Sequence, residues 1–496
     1  MAFILACAVF ASVPGSLTLD PGLDWYTLET EHFAVHFPCR GPLSDKARAL
    51  PVRIAAIAEG LYGPMTRQAG WTPKSRTNIV VADFSDHANG WAAPIPDNTI
   101  TVIPAQPAWL RSNYDDWLRE LIAHEYAHVL QSDMAYGFQA VLRAVFGRIA
   151  MFNALLPRWT SEGYAQLYES GMTNFGRLRS TEYDMMLRAA ALDNALLPLD
   201  RCNIYELETY PGDEAPYLYG GMFMRDALLD PDWDRYSRSR AGGPPFFDNL
   251  YSRRMFGSGF PELWQTWQQL ARTHAQLTAD RLRSQPLTPL RTLTREGFHT
   301  SSPCWSRSGD RVYYVSRTGE QYTAIASVDT SGRNPQRLYE GLVTGNLSLS
   351  PDGRSLAFGE YSLRHNYYYF SDITELDLGT GSTRRLTNMM RAQDPDYAPD
   401  GSTMVFVSAD QARNELILLD LNTGKTSPLL RTLDYTGYSS PRFSPSGRFV
   451  ATVVRNPGGY ADIVLIDRRT GWQIPVTEDR AVDMDPCWSR TGLYLY

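Results

Sequence analysis

The chain is 496 residues long, with 43% hydrophobic residues and a formal net charge of −7. That length predicts two or more domains, each large enough to bury its own core. The negative charge gives no electrostatic reason to expect binding to nucleic acid or to an acidic membrane, so those function classes are disfavoured. The 28 Tyr and 12 Trp favour an architecture rich in β-strands over a helical bundle.

Residues 1–12 form an apolar run that ends in small residues. Such a run is typical of the apolar part of a secretory signal, although no basic leader precedes it. It is too short to span a bilayer as a helix. We interpret residues 1–20 as the remnant of a signal peptide, with a buried strand as the alternative.

The five cysteines include no C-x-x-C pair, so a cysteine-based metal or redox site is not indicated. Cys39 and Cys202 could pair in an oxidising compartment, but nothing in the sequence requires that bond. Cys304 and Cys487 occupy equivalent positions of a repeat described below, which points to packing rather than to a disulfide.

Residues 21–285 mix strand and helix patterns, as expected for an α+β domain. The predicted elements, in chain order, are strands at 25–30 and 32–37, a helix at 44–68, strands at 77–82 and 98–104, and a mainly helical stretch at 215–279. His32 and His36 flank the second strand, and we interpret them as surface residues rather than as metal ligands.

The segment His124-Glu125-Tyr126-Ala127-His128 follows these strands. Side chains four residues apart lie on one face of a helix, so both histidines can reach a single cation. Glu125 lies beside that face, where it can contact a water molecule rather than the metal. A helix is predicted here from a capping box at Ser112-Asn113-Tyr114-Asp115 and from a buried stripe of Leu118, Leu121, Ile122 and Val129.

A second segment, Trp159-Thr160-Ser161-Glu162-Gly163-Tyr164-Ala165, opens another predicted helix and supplies a distant carboxylate. A catalytic zinc site needs three protein ligands and one open position. His124, His128 and Glu162 would fill those three places. The alternative is a helix with two surface histidines. It is disfavoured because the second segment independently supplies a third ligand.

Residues 137–157, between these two segments, are strongly apolar. Arg143 and Arg148 interrupt them, so the stretch cannot cross a membrane. We interpret it as a helix packed on the domain. The alternatives are an active-site lid or a helix that makes a peripheral contact with a membrane surface.

From residue 303 onward one pattern recurs five times, each copy ending in glycine. The copies read P-C-W-S-R-S-G at 303–309, L-S-L-S-P-D-G at 347–353, P-D-Y-A-P-D-G at 395–401, P-R-F-S-P-S-G at 441–447 and P-C-W-S-R-T-G at 486–492. The glycines are spaced 44, 48, 46 and 45 residues apart. A period near 45, with several strands per unit, predicts propeller blades.

Four full repeats and the start of a fifth predict an all-β propeller over 290–496. Closed propellers of this type usually need about six to eight blades, so we expect this one to be truncated at its C-terminal side. Residues 292–294 resemble a strand that ends a blade, and we expect them to complete the last one.

The pair H-E-x-x-H and W-x-x-E-G-x-A resembles the gluzincin metallopeptidases, the thermolysin and aminopeptidase-N group. The resemblance implies a Zn²⁺ ion held by His124, His128 and Glu162, with Glu125 as general base. The ligands are separated by residues 129–161, a longer spacing than in thermolysin.

Three further positions follow from this resemblance. Residues 215–221, A-P-Y-L-Y-G-G, are similar to the aminopeptidase segment P-Y-x-K-G. Tyr217 is therefore expected to donate a hydrogen bond to the oxyanion, and Tyr219 takes the lysine position. Glu169 matches an acidic residue of the same group, whereas Gln166 stands where thermolysin has an aspartate that supports a histidine.

The G-x-M-E-N segment of these aminopeptidases carries a glutamate that binds the substrate amine. The corresponding stretch here, Asn89-Gly90-Trp91-Ala92-Ala93-Pro94, has no carboxylate. The resemblance therefore implies an endopeptidase rather than an aminopeptidase. It also implies an antiparallel edge strand within 90–104 that binds the extended substrate.

The S-P-D-G repeat resembles the propeller of TolB, a periplasmic protein. No G-x-S-x-G motif of a serine hydrolase occurs. A gluzincin domain followed by a TolB-like propeller resembles a group of exported bacterial proteins.

The expected function is a zinc endopeptidase of the cell envelope, periplasmic or secreted, that cleaves a peptide or protein and has a protein partner on its propeller. The alternative is a non-catalytic adaptor that binds proteins through the propeller.

Overall fold

The computed structural model describes residues 20–41, 43–107, 114–204, 209–227, 230–295, 299–318, 321–410, 412–431, 435–456 and 458–496. The apolar run at 1–12, interpreted above as part of a signal peptide, lies outside these ranges. No helix within these ranges is both long and apolar enough to cross a membrane.

A five-stranded sheet underlies the N-terminal half. Its strands are β1 (Asp24–Glu29), β2 (Phe33–Cys39), β3 (Thr77–Val81), β4 (Asn89–Ala93) and β5 (Thr99–Ile103). Their order is β1-β2-β3-β5-β4. Strands β2, β3 and β5 are parallel, whereas β1 and β4 run antiparallel to their neighbours. The predicted strand pair is therefore confirmed, and β4 is an antiparallel strand at the edge, within the predicted region.

Nine helices accompany the sheet in the described residues. They are α1 (Asp45–Ala69), α2 (Trp117–Asp133), α3 (Gly137–Phe146), α4 (Arg158–Met172), α5 (Thr181–Leu192), α6 (Ala215–Ala227), α7 (Asp230–Gly242), α8 (Asp248–Phe256) and α9 (Phe260–Arg283). Ser44 caps α1, since its hydroxyl accepts from the Ala47 N–H. Ile54, Ala58 and Leu61 are fully buried in the same core cluster as the sheet residues.

The two histidines that flank β2 are held by polar neighbours. His32 Nδ1 lies 2.7 Å from Glu59 Oε2. His36 lies between Thr27, at 2.9 Å, and Asn78, at 3.1 Å. Neither histidine belongs to a metal-ligand cluster of the described residues.

The predicted cap of α2 is wrong. The helix begins at Trp117, and Asp116 caps it by accepting from the Arg119 N–H. Ser112 and Asn113 of the predicted box lie outside the described residues. The predicted stripe is confirmed, because Leu118, Leu121, Ile122 and Val129 are all buried.

Residues 137–157 were predicted to form a helix packed on the domain; a helix forms over part of this range, and Gln139 attaches it to the domain, but most of its apolar side chains are exposed. The segment forms α3 followed by two 3-10 turns, Gly147–Ile149 and Phe152–Ala154. Arg143 and Arg148 both turn inward to the buried carboxylate of Asp133. Because these polar groups occupy the inner face, the apolar side chains of α3 face outward.

The C-terminal half consists of four antiparallel sheets of four strands each, the predicted propeller blades. Blade 1 is β6 (His299–Trp305), β7 (Arg311–Thr318), β8 (Gln321–Asp329) and β9 (Gln336–Glu340). Blade 2 is β10 (Val343–Leu349), β11 (Ser355–Arg364), β12 (Tyr368–Asp377) and β13 (Thr383–Arg385). Blade 3 is β14 (Ala392–Tyr397), β15 (Thr403–Asp410), β16 (Arg413–Asp420) and β17 (Thr426–Leu430). Blade 4 is β18 (Gly437–Phe443), β19 (Phe449–Arg455), β20 (Ala461–Asp467) and β21 (Gln473–Pro475).

The five motif glycines share one conformation, which explains their recurrence. Their φ angles lie between 70° and 75°, in the left-handed region that glycine adopts without steric cost. Each sits in the tight turn after the first strand of its repeat. Their positions are Gly309, Gly353, Gly401, Gly447 and Gly492.

Buried aspartates link successive blades. Asp394 in blade 3 accepts from the Asn346 N–H of blade 2 at 2.9 Å and from the Ser440 N–H of blade 4 at 3.0 Å. Leu293 packs against the Val312 and Val328 cluster of blade 1. Completion of the last blade by its segment stays a prediction.

All four described cysteines are free thiols. The bond considered between Cys39 and Cys202 is therefore absent. Cys304 packs against apolar residues at the contact of blades 1 and 2, as its position in the repeat predicts.

A buried ion pair joins the two halves. Arg391 of blade 3 contacts Asp86 at 2.5 Å and Asp83 at 2.8 Å, in the turn that follows β3. Asp86 also accepts from the Ser371 N–H of blade 2 at 2.9 Å. Burial raises the pKa of Asp86, while Arg391 lowers it. The carboxylate therefore depends on Arg391 to remain charged in this position.

We expect Arg391→Ala to lower the free energy of unfolding by about 3–5 kcal/mol, because it leaves a buried carboxylate without its partner. Urea denaturation followed by tryptophan fluorescence measures the change. Arg384→Ala is the control, since Arg384 pairs with Glu375 at the surface, and such pairs contribute about 1 kcal/mol or less. Equal effects of the two substitutions would contradict the prediction.

Candidate metal centre

Helices α2 and α4 bring the three predicted ligands to one point. His124 Nε2 lies 3.1 Å from His128 Nε2 and 3.3 Å from Glu162 Oε2. His128 Nε2 lies 3.4 Å from the same carboxylate oxygen. These residues form one of two clusters among the described residues whose groups are close enough to hold a metal ion.

The size and chemistry of this triangle fit zinc. Ligand atoms at the corners of a tetrahedron around Zn²⁺ lie about 3.3 Å apart, given its usual bond lengths to nitrogen and oxygen. The three observed distances cluster around that value. Two imidazoles and one carboxylate are also a ligand set found in catalytic zinc sites, where the fourth corner stays open.

Hydrogen bonds orient both imidazoles. With each Nε2 turned toward the common point, each Nδ1 carries the ring proton. His124 Nδ1 then donates to Glu169 Oε2 at 2.8 Å, and His128 Nδ1 donates to Ser161 Oγ at 3.0 Å. The supporting carboxylate is thus Glu169, one helical turn beyond the position that Gln166 occupies.

Gln166 makes no such contact. Its side chain is fully buried, and neither its amide oxygen nor its nitrogen has a hydrogen-bond partner. It packs instead against Gly221, where a Cβ would come within 1.8 Å of Gln166 Oε1.

Arg177 binds the Glu169 carboxylate that orients His124. This role of Arg177 was not predicted from the sequence. It lies in a 3-10 turn, Arg177–Arg179, that follows α4. Its Nη2 donates to Glu169 Oε2 at 2.6 Å, and its Nε donates to Glu169 Oε1 at 3.0 Å. An arginine at this distance from the motif follows no spacing rule, so the sequence carried no signal for it.

The two glutamates are strongly anionic despite their burial. Burial by itself raises the pKa of Glu162, but His128 and His124 bring it well below its usual range. Burial also raises the pKa of Glu169, yet Arg177 and His124 lower it to about 2. Both carboxylates are therefore held in the charged form beside the imidazoles.

Glu125 lies beside the ligands, under the edge strand β4. Its side chain is 5% exposed, and burial raises its pKa. Gly90 of β4 packs directly on it, since a Cβ at Gly90 would lie 3.3 Å from Glu125 Cγ and 2.8 Å from Leu121 Cδ1. The missing side chain at Gly90 thus lets the edge strand approach the helix that carries the motif.

Tyr217 projects from α6 toward the same point. Its ring stacks with the His124 ring at a centroid distance of 6.1 Å. The Arg177 guanidinium lies 4.9 Å from the centre of the ring, and burial raises the pKa of the phenol. Tyr219, by contrast, is 1% exposed and packs between Trp264 and Trp267, away from the ligands.

Close contact between α4 and α6 sets this arrangement. A Cβ at Gly220 would lie 2.2 Å from the Trp159 carbonyl oxygen, and one at Gly163 would lie 2.7 Å from the Gly220 backbone. Only glycine permits backbones to approach so closely. The two glycines therefore fix the distance between the helix of Glu162 and the helix of Tyr217.

We expect Gly220→Ala to force these helices apart, with a stability loss of about 1–3 kcal/mol and a loss of any peptidase activity. The matched control is Gly171→Ala in α4, where a Cβ would meet nothing within 4 Å. Urea denaturation and zinc titration of both variants test this. An unchanged Gly220→Ala protein would show that the contact is not as tight as described.

One loop of the propeller contacts the segment that leads to Arg177. Gly459, between β19 and β20 of blade 4, packs on Phe175, since a Cβ there would lie 2.2 Å from the Phe175 ring. Tyr460 adds an edge-to-face contact with Phe175 at 6.2 Å. Phe175 lies two residues before Arg177, so blade 4 contacts the loop that positions the support of His124.

No family model matches the chain. Among curated proteins, the Tol-Pal system protein TolB of Francisella tularensis subsp. tularensis (strain WY96-3418) is 26% identical over 38% of this chain and 54% of that protein. The same protein of F. tularensis subsp. holarctica (strain OSU18) is 25% identical with the same coverage. The chain spans about half the length of the curated relatives it matches.

Solved structures give similar partial matches. TolB from Acinetobacter baumannii is 24% identical, with a TM-score of 0.35 over 40% of this chain and 48% of that one. A puromycin-hydrolysing peptidase of Mycobacterium tuberculosis is 17% identical, with a TM-score of 0.30 over 37% of this chain and 29% of that one. The β-propeller region is TolB-like, as the repeat predicts. The gluzincin resemblance of the N-terminal half stays a prediction.

Proposed function

We propose that the protein is a zinc-dependent metallopeptidase that hydrolyses internal peptide bonds. The observation that carries the proposal is the convergence of His124, His128 and Glu162 at distances that suit a tetrahedral zinc ion. The buried support from Glu169 and the neighbouring Glu125 add to it. A zinc ion held there would supply the Lewis acidity that polarises a carbonyl group and acidifies water.

Each nearby side chain has a distinct role in this proposal. Glu125 accepts the proton of the attacking water and delivers it to the leaving amine, a task that its raised pKa favours. The Tyr217 phenol stays protonated and donates a hydrogen bond to the oxyanion as it forms. Glu169 holds the His124 ring in the orientation that directs Nε2 to the metal.

Substrate binding is assigned to strand β4. It is the terminal strand of the described sheet and lies directly above Glu125. An extended peptide would add to its open edge through backbone hydrogen bonds. The strand sequence N-G-W-A-A has no carboxylate to bind a free amine, which favours an endopeptidase.

The propeller is assigned to binding a substrate or a protein partner. Its sequence relatives are named as proteins of the Tol-Pal system. In this proposal the protein acts in the bacterial cell envelope, in the periplasm or outside the cell.

Zinc content and peptide cleavage by the full chain test the proposal together. We expect one zinc per chain, cleavage of a quenched fluorescent peptide library, loss of cleavage with a chelator, and recovery when zinc is returned. His128→Ala should lose both zinc and cleavage. A full chain that binds no zinc would refute the metal centre itself.

A non-catalytic adaptor is the second candidate. The TolB-like propeller favours it, as does Gln166, whose buried amide has no hydrogen-bond partner beside the site. Its signature would be one zinc per chain with no cleavage in a broad peptide library. Retention of a buried glutamate at position 125 favours the enzyme, because a purely structural zinc site does not need a general base.

A further inference from the structure

Helix α3 exposes its apolar face. Gln139, its one uncharged polar side chain, is 1% exposed and donates to the Arg240 and Gly243 carbonyl oxygens. The outward side chains are Phe138, Val141, Val145, Phe146 and, in the following turn, Ile149, with exposures between 50% and 78%. A helix on a water-soluble surface normally buries its apolar side chains and exposes its polar ones, whereas α3 does the opposite.

A second apolar element lies beside the first turn of α3. The loop between α7 and α8 is anchored there, since Gln139 Nε2 donates to the Gly243 carbonyl oxygen at 2.9 Å. Phe246 and Phe247 in that loop are 66% and 55% exposed. Phe246 has a φ of 70°, a conformation that is costly for a bulky side chain. The protein thus holds two aromatic rings outward at an energetic cost.

We call these two elements the apolar ridge, defined as residues 138–149 and 246–247. Contiguous exposed apolar surface of this kind marks an interaction site. Exposed aromatic and aliphatic side chains on a helix and a neighbouring loop are typical of segments that insert into the interface of a bilayer.

The local charge favours a membrane as the occupant. From residue 134 to residue 161 there is no carboxylate, although the whole chain carries a net charge of −7. Arg143 and Arg148 in this stretch are turned inward to Asp133, so the outer face of α3 carries neither sign of charge. Asp248, which follows the aromatic pair, is paired with the buried Arg240 at 2.6 Å. In α8, which begins directly after Phe247, Arg253 and Arg254 are exposed, and Arg253 pairs with the exposed Glu262 at 3.5 Å. The helix that carries most of the ridge thus has no carboxylate, and an exposed arginine, Arg254, lies in the helix after the aromatic pair, which suits anionic headgroups.

We propose that the apolar ridge docks the protein onto the surface of a phospholipid bilayer, with the side chains of α3 and the Phe246–Phe247 pair inserted among the headgroups. This docking does not depend on catalysis.

Docking also bears on the substrate, a step that rests on the proposed peptidase function. Arg148, at the base of the ridge, donates to the Pro94 carbonyl at 2.7 Å, immediately after strand β4. A docked protein would therefore hold the end of its substrate-binding strand close to the membrane. The substrates expected from this geometry are polypeptide segments next to the bilayer.

Flotation of the full chain with vesicles of phosphatidylethanolamine and phosphatidylglycerol tests the docking. We expect the protein to float with the vesicles, and Val141→Ser/Val145→Ser/Ile149→Ser to reduce the bound fraction about tenfold or more. Phe246→Ser/Phe247→Ser should act in the same direction. All five positions are exposed, so these variants should keep their fold and their zinc content.

The control is Tyr322→Ser/Leu363→Ser, which removes side chains that are 77% and 62% exposed on the propeller. It should float like the unmodified protein. Equal flotation of all variants, or no flotation of the unmodified protein, overturns the proposal. A dimer that the ridge variants convert to a monomer, without vesicle binding, would assign the ridge to a second copy of the chain. Because flotation needs no cleavage, Glu125→Gln should float normally, which separates this test from that of the proposed function.

Discussion

Glu125→Gln is expected to lower kcat/KM for peptide cleavage by about 100- to 10,000-fold, the usual contribution of a general acid–base residue. Glutamine keeps the size of the side chain under strand β4 but cannot take up a proton. The three proposed ligands are unchanged, so the zinc content should remain at one per chain. Burial raises the pKa of Glu125, so a neutral amide should be tolerated there without loss of stability. Cleavage kinetics, zinc analysis and urea denaturation measure the three expectations.

The control is Glu262→Gln, which changes an exposed glutamate at the start of α9. Its cleavage rate should equal that of the unmodified protein. If Glu125→Gln cleaved peptides at the normal rate while holding zinc, Glu125 could not be the general base. If it lost zinc as well, the result would point to a role in folding the site, and the assignment would fail for a different reason.

Patterns that repeat along the chain could be predicted from the sequence. Two histidines four residues apart can reach one metal ion only if they lie on a helix. The apolar stripe that includes Leu121 and Val129 predicted which face of that helix is buried. Each copy of the repeat ends in a glycine, which marks a tight turn in the left-handed backbone conformation. The regular spacing of these glycines predicted the blades and their order along the chain. These features are local, so the sequence determines them without knowledge of the fold.

Features that depend on contacts between distant segments were missed or wrongly predicted. Arg177 reaches Glu169 only because the chain turns back after α4. Asp116 rather than Ser112 caps α2, since several polar residues in a row offered alternative caps and Asp116 also pairs with Arg53. Residues 137–157 were expected to pack as a helix on the domain, yet the apolar side chains of α3 are largely exposed. Arg143 and Arg148 instead point inward and pair with the buried carboxylate of Asp133. These ion pairs determine which face of α3 is turned toward the domain.

The junction of the two halves lies beyond sequence reasoning for the same reason. Nothing in the repeat marks Arg391 as different from other arginines, and Asp86 reads as an ordinary turn residue. Their pairing places blades 2 and 3 against the turn that leads from β3 toward β4. Blade 4 meanwhile packs Gly459 on Phe175, next to the loop of Arg177. The propeller therefore contacts the N-terminal half in the turn between β3 and β4 and beside the loop of Arg177.

Removal of the Glu169 carboxylate is the second large effect that we expect. Glu169→Ala should weaken zinc binding about 10- to 100-fold, because it removes the group that orients His124. It should also cost about 3 kcal/mol of stability, since the Arg177 guanidinium, whose side chain is 21% exposed, loses its carboxylate partner. Competition with a chelator of known affinity measures zinc binding, and urea denaturation measures stability.

A second set of variants separates positioning from simple packing. Glu169→Gln keeps an oxygen that can accept from His124 Nδ1, so zinc affinity should recover in part. Arg177→Met removes the cation but leaves the carboxylate on His124, so the zinc loss should be smaller than for Glu169→Ala. The exposed pair of Glu29 and Arg76 provides the control, and Glu29→Ala should change neither quantity by a measurable amount. Equal zinc affinity in Glu169→Ala and the unmodified protein would mean that His124 holds its orientation without this carboxylate, and the proposed support of the metal centre would be wrong.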